Sequence, residues 1–142
     1  MTEAEFSAFL KDISDCFISE DFGPWADRVE LPFSIVTKTG PHISYTTQDL
    51  KAEFDLYILA SRTMKLDLVF WTPASIGNCE DGTVIATYRT ELLSHGQRMT
   101  EPFTSSALMK KTDGHWRMTA ILNARGHDSW TGNSEHKEGS LE

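Results

Sequence analysis

The sequence predicts an α+β domain in which three N-terminal helices and a small hairpin pack on a strongly curved, mostly antiparallel sheet. Two observations favour this class. Apolar residues recur at spacings of three and four in the first part of the chain, which is the period of a helix. From Lys65 onward the apolar residues alternate with polar ones, and four such stretches are separated by glycine-containing turns, as in an antiparallel meander.

The first helix is predicted near the N-terminus, and a short second helix follows it. Thr2 and Glu5 have the spacing of a capping box. The inner face of the first helix is predicted to comprise Phe6, Phe9, Leu10, Ile13, Cys16 and Phe17. Further along, Gly23-Pro24 predicts a helix with Pro24 at its first position and Trp25 on its inner side.

A hairpin and a third helix come next. Residues 31–36 alternate in polarity, and Thr39-Gly40-Pro41 predicts a turn into a short strand at residues 43–45. Thr46 and Asp49 form another capping signature, which predicts a helix that ends near Arg62. Its inner face is predicted to comprise Leu50, Phe54, Tyr57, Ile58 and Ser61.

The meander is predicted to use residues 66–72, 83–93, 98–111 and 116–124. Pro73 directly follows the first of these stretches and Pro102 lies within the third. Because proline cannot donate to a ladder, each predicts a bulge or a bend in its strand. We therefore expect a strongly curved sheet. The predicted domain covers residues 1–126, and residues 127–142 are predicted to be a polar, mobile tail.

Composition argues against several classes of partner. The chain has 142 residues and a net charge of −8 at pH 7, so it lacks the basic surface typical of nucleic-acid binding. The longest apolar run, residues 68–71, is too short to span a membrane. The acidic, amphipathic N-terminus is unlike a signal peptide, so we expect a cytoplasmic protein. Neither Cys16 nor Cys79 belongs to a metal-binding motif, and we expect no metal and no cofactor.

The segment Asp113-Gly114-His115-Trp116-Arg117-Met118 resembles the opening of the last strand in many members of the nuclear transport factor 2-like superfamily. The order of predicted elements, the helix that contains Trp25 and the segment 31–40 are also similar to that superfamily, which includes SnoaL-like polyketide cyclases, ketosteroid isomerase and scytalone dehydratase. The resemblance implies that helices close over the concave face of the sheet and leave a conical pocket. It also implies a homodimer paired through the convex face.

This chain lacks part of the set of catalytic residues expected in this superfamily. Its enzymes mostly use general acid/base catalysis in an apolar cavity, which needs a carboxylate or a histidine. The Asp or His that cyclases carry near the end of the last strand is absent, and Ile121, Leu122 and Asn123 stand there. Glu91 has two interpretations, a surface ion pair with a neighbouring arginine or a pocket base paired with Arg89.

We therefore expect a binding protein for a small apolar or aromatic molecule, of a specificity that the sequence does not define. The expected ligand-binding residues are Trp25, Phe54, Tyr57, Tyr88, Ser105 and Asn123. The alternative is an isomerase, dehydratase or polyketide-cyclase type of enzyme that acts on a carbonyl compound through Tyr57 or Tyr88, with Asn123 and Glu91. An interaction module with an incidental pocket also remains open. A buried carboxylate or histidine in the cavity would favour the enzyme, whereas a cavity of apolar groups and hydroxyls would favour binding.

Overall fold

The structure, a computed structural model, describes residues 1–122 and confirms the α+β class. Asn123 and the predicted tail at residues 127–142 lie outside the described residues, so the domain boundary stays a prediction. The helices are α1 (Glu3–Ile18), α2 (Phe22–Ala26) and α3 (Thr47–Met64). The strands are β1 (Val29–Thr37), β2 (Gly40–Ser44), β3 (Leu68–Asn78), β4 (Val84–Ser94), β5 (Gln97–Arg98), β6 (Phe103–Thr112) and β7 (His115–Leu122).

Both long helices begin where the capping signatures predict. Thr2 and Thr46 each accept a hydrogen bond from the backbone N–H three residues on, and the acidic side chain at that position accepts one from the N-cap backbone in return. All residues of the two predicted inner faces are buried. In α2, Asp21 is the N-cap and Pro24 is the third helical residue rather than the first. Proline is tolerated there because the first-turn N–H groups have no partner within the helix.

The sheet has the strand order β2-β1-β7-β6-β4-β3, and β5 pairs with β4. Strands β3, β4, β6 and β7 form the predicted antiparallel meander. The hairpin β1-β2 extends this sheet, because β1 pairs with β7 in parallel, and the result is a curved, mixed sheet. The hairpin therefore belongs to the same layer as the meander.

The two prolines interrupt the sheet in different ways. Strand β3 has a register shift between Pro73 and Ser75, which is the predicted bulge, and it then continues to Asn78 because β4 pairs with it along that whole length. Pro102 lies outside any strand. The single strand predicted over residues 98–111 is instead divided into β5 and β6, since proline has no N–H for the ladder.

The core lies between the helices and one face of the sheet, which we call the inner face. On β4 this face comprises Val84, Ala86, Tyr88, Thr90 and Leu92, which are all buried. An aromatic cluster fills the space beneath the helices, where Phe17, Phe54 and Trp25 lie within 5.2–6.0 Å of each other by ring centroids. In residues 1–122, no helix is long and apolar enough to cross a membrane.

Candidate functional site

A cavity of about 60 Å³ lies between the helices and the inner face of the sheet. Its helical wall is formed by Leu10, Ile13 and Phe17 of α1, Trp25 of α2 and Tyr57 of α3. Its sheet wall is formed by Phe33, Ile35, Trp71, Tyr88, Thr90, Phe103, Ser105, Met118 and Ile121. Among the described residues, neither a carboxylate nor an imidazole lines this wall.

The structure brings together four of the residues that the sequence suggested for ligand binding: Trp25, Tyr57, Tyr88 and Ser105 all line the cavity. Phe54 lies behind this wall, where its ring stacks on Phe17 with centroids 5.5 Å apart and an interplanar angle of 15°. Phe54 is thus a core residue that supports the wall. Asn123 falls outside the described residues.

Tyr88 and Ser105 are one pair of polar side chains on the sheet wall. They are directly opposite each other on β4 and β6, and the nearby Ser105 hydroxyl lowers the pKa of Tyr88, against the larger effect of burial. Tyr88 is buried, and burial raises the pKa of its hydroxyl far above the ordinary value. Tyr88 therefore stays neutral at any physiological pH.

Trp71 and Thr90 are a second pair of polar side chains on the same wall. They are directly opposite each other on β3 and β4. Their Nε1 and Oγ1 atoms are buried, and neither has a hydrogen-bond partner among the described residues. Alternation along β4 puts Thr90 on the same face as Tyr88, but nothing in the sequence shows that its hydroxyl is left unpaired.

Glu53 is a buried carboxylate that sequence reasoning missed. It lies on α3 one turn before Tyr57, and only 9% of the residue is exposed. Burial raises the pKa of this carboxyl, while the charge of His42 and a hydrogen bond from the Tyr57 hydroxyl act in the opposite direction. Glu53 is not among the residues that line the cavity, whereas Tyr57 is. Glu53 comes three residues after Leu50 and four before Tyr57, and this spacing is the sequence signal that puts it on the buried face of α3.

The hypothesis that Glu91 is a pocket base is wrong. Strand alternation places Glu91 on the opposite face of the sheet from the cavity, which we call the outer face. There its carboxylate pairs with Arg98 at 3.1 Å and with Arg89 at 3.8 Å. The ion-pair interpretation is confirmed. Elsewhere in residues 1–122, no three His, Cys, Asp or Glu side chains converge as metal ligands would.

No protein-family model matches the chain, and no curated protein resembles it in sequence. Several solved structures match its fold. Aln2 from a Streptomyces species matches with a TM-score of 0.64 at 15% identity, over 84% of this chain and 86% of its own. A domain with a cystatin-like fold from Nostoc punctiforme matches with a TM-score of 0.62 at 15% identity, over 99% of this chain and 94% of its own.

An NTF-2-like protein of unknown function from Shewanella oneidensis matches with a TM-score of 0.59 at 14% identity, over 86% of this chain and 98% of its own. At these identities the likeness concerns the fold and not the chemistry. The chain therefore has the nuclear transport factor 2-like fold, with a cystatin-like sheet, as the sequence resemblance implied.

Proposed function

We propose that this protein of nuclear transport factor 2-like fold binds a small, uncharged, apolar or aromatic molecule in the central cavity. The observation that carries the proposal is the composition of the wall, which among the described residues combines apolar side chains with hydroxyls and one unpaired indole N–H. Sites for small organic ligands typically have apolar walls and a few polar groups that orient the ligand. The described residues of this wall offer no counter-charge, so transferring a charged ligand from water to the cavity would cost a large free energy.

The size of the cavity limits what can enter it. The cavity volume of about 60 Å³ is smaller than that of an engineered cavity of about 150 Å³ that binds benzene. It equals the volume that about two water molecules occupy in liquid water. A ring therefore enters only if wall side chains shift. Phe103 and Ile121 are half-buried, so they have more room to move than the buried members of the wall.

The test is a melting experiment with benzene, indole and cyclopentanone as probes, together with native mass spectrometry of molecules that co-purify. A probe at ten times its Kd should stabilise the protein by about 1.4 kcal/mol. Ser105→Leu fills the cavity and should abolish this shift. Ser106→Leu, the matched control on the outer face of the same strand, should retain it. The proposal fails if no probe gives a saturable shift and no organic molecule co-purifies.

The second candidate is an enzyme of the isomerase, dehydratase or cyclase type, and Glu53 is the observation that favours it. A buried carboxylate with a raised pKa, hydrogen-bonded to a tyrosine on the cavity wall, is an arrangement that general acid/base catalysis uses. In this alternative Tyr57 contacts the carbonyl substrate, and Glu53 is a positioning residue that acts through the phenol.

The enzyme alternative is tested by proton exchange. If the site activates carbonyl compounds, the α-protons of cyclopentanone should exchange with D2O faster in the presence of the protein, as followed by NMR. Glu53→Gln should lower this rate, whereas Glu91→Gln, which removes a carboxylate from the outer face, should leave it unchanged. Exchange no faster than in buffer alone excludes the enzyme alternative for this substrate class and leaves the binding proposal in place.

We further propose that two copies of the chain pair through the outer face. Leu68, Phe70, Ile85 and Leu122 are exposed large apolar residues of this face. Arg89, Glu91 and Arg98 add charges of both signs, so a two-fold pair can match unlike charges. Sedimentation equilibrium should report a dimer, and Phe70→Lys should convert it to a monomer. Leu59→Lys, at an exposed position of α3, is the control that should remain a dimer.

A further inference from the structure

Two adjacent strands place unpaired hydrogen-bonding groups side by side on the cavity wall. Trp71 of β3 and Thr90 of β4 are directly opposite each other, and facing side chains of an antiparallel pair have Cβ atoms about 4.5–5.5 Å apart. Both residues line the cavity, and Thr90 is only 1% exposed. Neither the indole Nε1 nor the hydroxyl Oγ1 has a hydrogen-bond partner within residues 1–122.

The other polar side chains of the wall have polar neighbours of their own. Tyr88 and Ser105 lie directly opposite each other on β4 and β6, and Tyr57 donates to Glu53. The packing of the Trp71 ring, edge-on to Tyr88 at 6.0 Å and to Phe17 at 6.4 Å between centroids, holds the indole in place on the wall. The unpaired N–H and O–H are therefore a fixed feature of the cavity, and a buried polar group without a partner destabilises the protein that carries it.

The chemistry of the two groups defines what can satisfy them. An indole N–H only donates, whereas a hydroxyl donates or accepts. A ligand must therefore offer an acceptor to Trp71, and a single oxygen with two lone pairs can accept from both side chains at once. A carboxylate would also accept twice, but its charge would have no counter-charge on this wall among the described residues.

On the premise that the cavity binds a ligand, we propose that its ligand is a small neutral carbonyl compound whose oxygen accepts hydrogen bonds from Trp71 Nε1–H and Thr90 Oγ1–H. The apolar remainder of the ligand contacts the aromatic and aliphatic side chains of the wall. This assigns the orientation of the ligand, with its oxygen toward β3 and β4.

The experiment compares two probes of the same shape, cyclopentanone and methylenecyclopentane, whose Kd values are measured by NMR titration. The quantity of interest is the ratio of the ketone Kd to the alkene Kd. Because packing contributes equally to both probes, this ratio isolates the hydrogen bonds to the oxygen. Thr90→Val and Trp71→Phe should each raise the ratio about tenfold, whereas Thr90→Ser, which keeps the hydroxyl, should leave it unchanged.

Thr87→Val is the matched control, because Thr87 lies on the outer face of the same strand, and its ratio should equal that of the unaltered protein. The infrared C=O stretch of ¹³C-labelled cyclopentanone should move to lower frequency when bound to the unaltered protein and return toward its unbonded position in Thr90→Val. If both probes bind but the ratio is the same in all variants, the cavity is a binding site and this assignment is overturned. If neither probe binds, this assignment is overturned, whereas the binding function fails only if benzene and indole also give no shift and no organic molecule co-purifies.

Discussion

Glu53 lies one helical turn before Tyr57 on α3, and its buried carboxylate accepts a hydrogen bond from the Tyr57 hydroxyl on the cavity wall. Burial raises the pKa of Glu53 above its ordinary value of 4.5, and this effect exceeds the opposing influence of His42 and Tyr57. The protonated form is therefore the one that the folded state favours. Its contribution to stability is present below the ordinary pKa and is lost as the pH rises through the raised one.

The first prediction concerns this carboxyl. Glu53→Gln keeps the shape of the side chain but removes the charge, so it should stabilise the protein at pH 7.5 and have little effect at pH 4. Urea unfolding at the two pH values measures the difference. Glu91→Gln is the control, and it should show no gain at pH 7.5 because it weakens the pairs with Arg89 and Arg98. A loss of stability in Glu53→Gln at pH 7.5 would contradict the assignment.

The second prediction compares two threonines of β4. Thr90→Val removes a buried hydroxyl with no described partner, so it should increase the free energy of unfolding by about 1 kcal/mol. Thr87→Val should decrease it by a similar amount, because the Thr87 hydroxyl is hydrogen-bonded to Ser106 at 2.8 Å. Denaturant unfolding of both variants tests the opposite signs. Equal destabilisation by the two substitutions would mean that Thr90 is satisfied in solution.

The third prediction concerns the third helix. Thr46 accepts from the backbone N–H of Asp49, and Thr46→Ala should therefore destabilise the protein by about 1 kcal/mol. Thr63→Ala, near the other end of the same helix, is the control. Its hydroxyl only bonds the carbonyl of Leu59 on an exposed face, so a change within about 0.5 kcal/mol is expected. Thermal unfolding followed by circular dichroism measures both.

Much of the fold could be predicted because its signals are local. Each capping signature spans only four residues, Thr2 to Glu5 and Thr46 to Asp49, and each apolar stripe lies within one helix. The helix face that is buried in the structure is the same face that the apolar spacing indicates. The pairing of β1 with β7 has no such signal. It joins Ile35 to Ile121, and nothing in the polarity of either strand specifies a partner that distant in the chain.

The candidate site was less predictable than the fold for a physical reason. Alternation along β4 correctly separates Tyr88 from Glu91, since a strand turns each successive side chain to the other face. Glu53 was missed because a glutamate on a helix is ordinarily at the surface. Which hydroxyls remain unpaired, as at Thr90, depends on where the neighbouring strands place their own polar groups, and residue spacing carries no information about that.

The fourth prediction uses the cavity itself. Phe17 lies on the wall and contacts Phe54, Tyr57 and Trp71 by its ring. Phe17→Ala should destabilise the protein by about 3–5 kcal/mol, because it removes buried apolar contacts and leaves a larger cavity. The enlarged cavity should have room for benzene without a shift of the wall side chains, and benzene stabilises whichever state it binds.

Benzene should therefore raise the melting temperature of Phe17→Ala by more than it raises that of the unaltered protein. Leu59→Ala is the control for a truncated apolar side chain, since Leu59 is 62% exposed, and its stability should change by no more than about 0.5 kcal/mol, with no added response to benzene. Urea unfolding with and without saturating benzene measures both effects. An equal benzene response in all three proteins would show that Phe17 does not limit the volume of the cavity, because only a gain specific to Phe17→Ala reports on the space that its ring occupies.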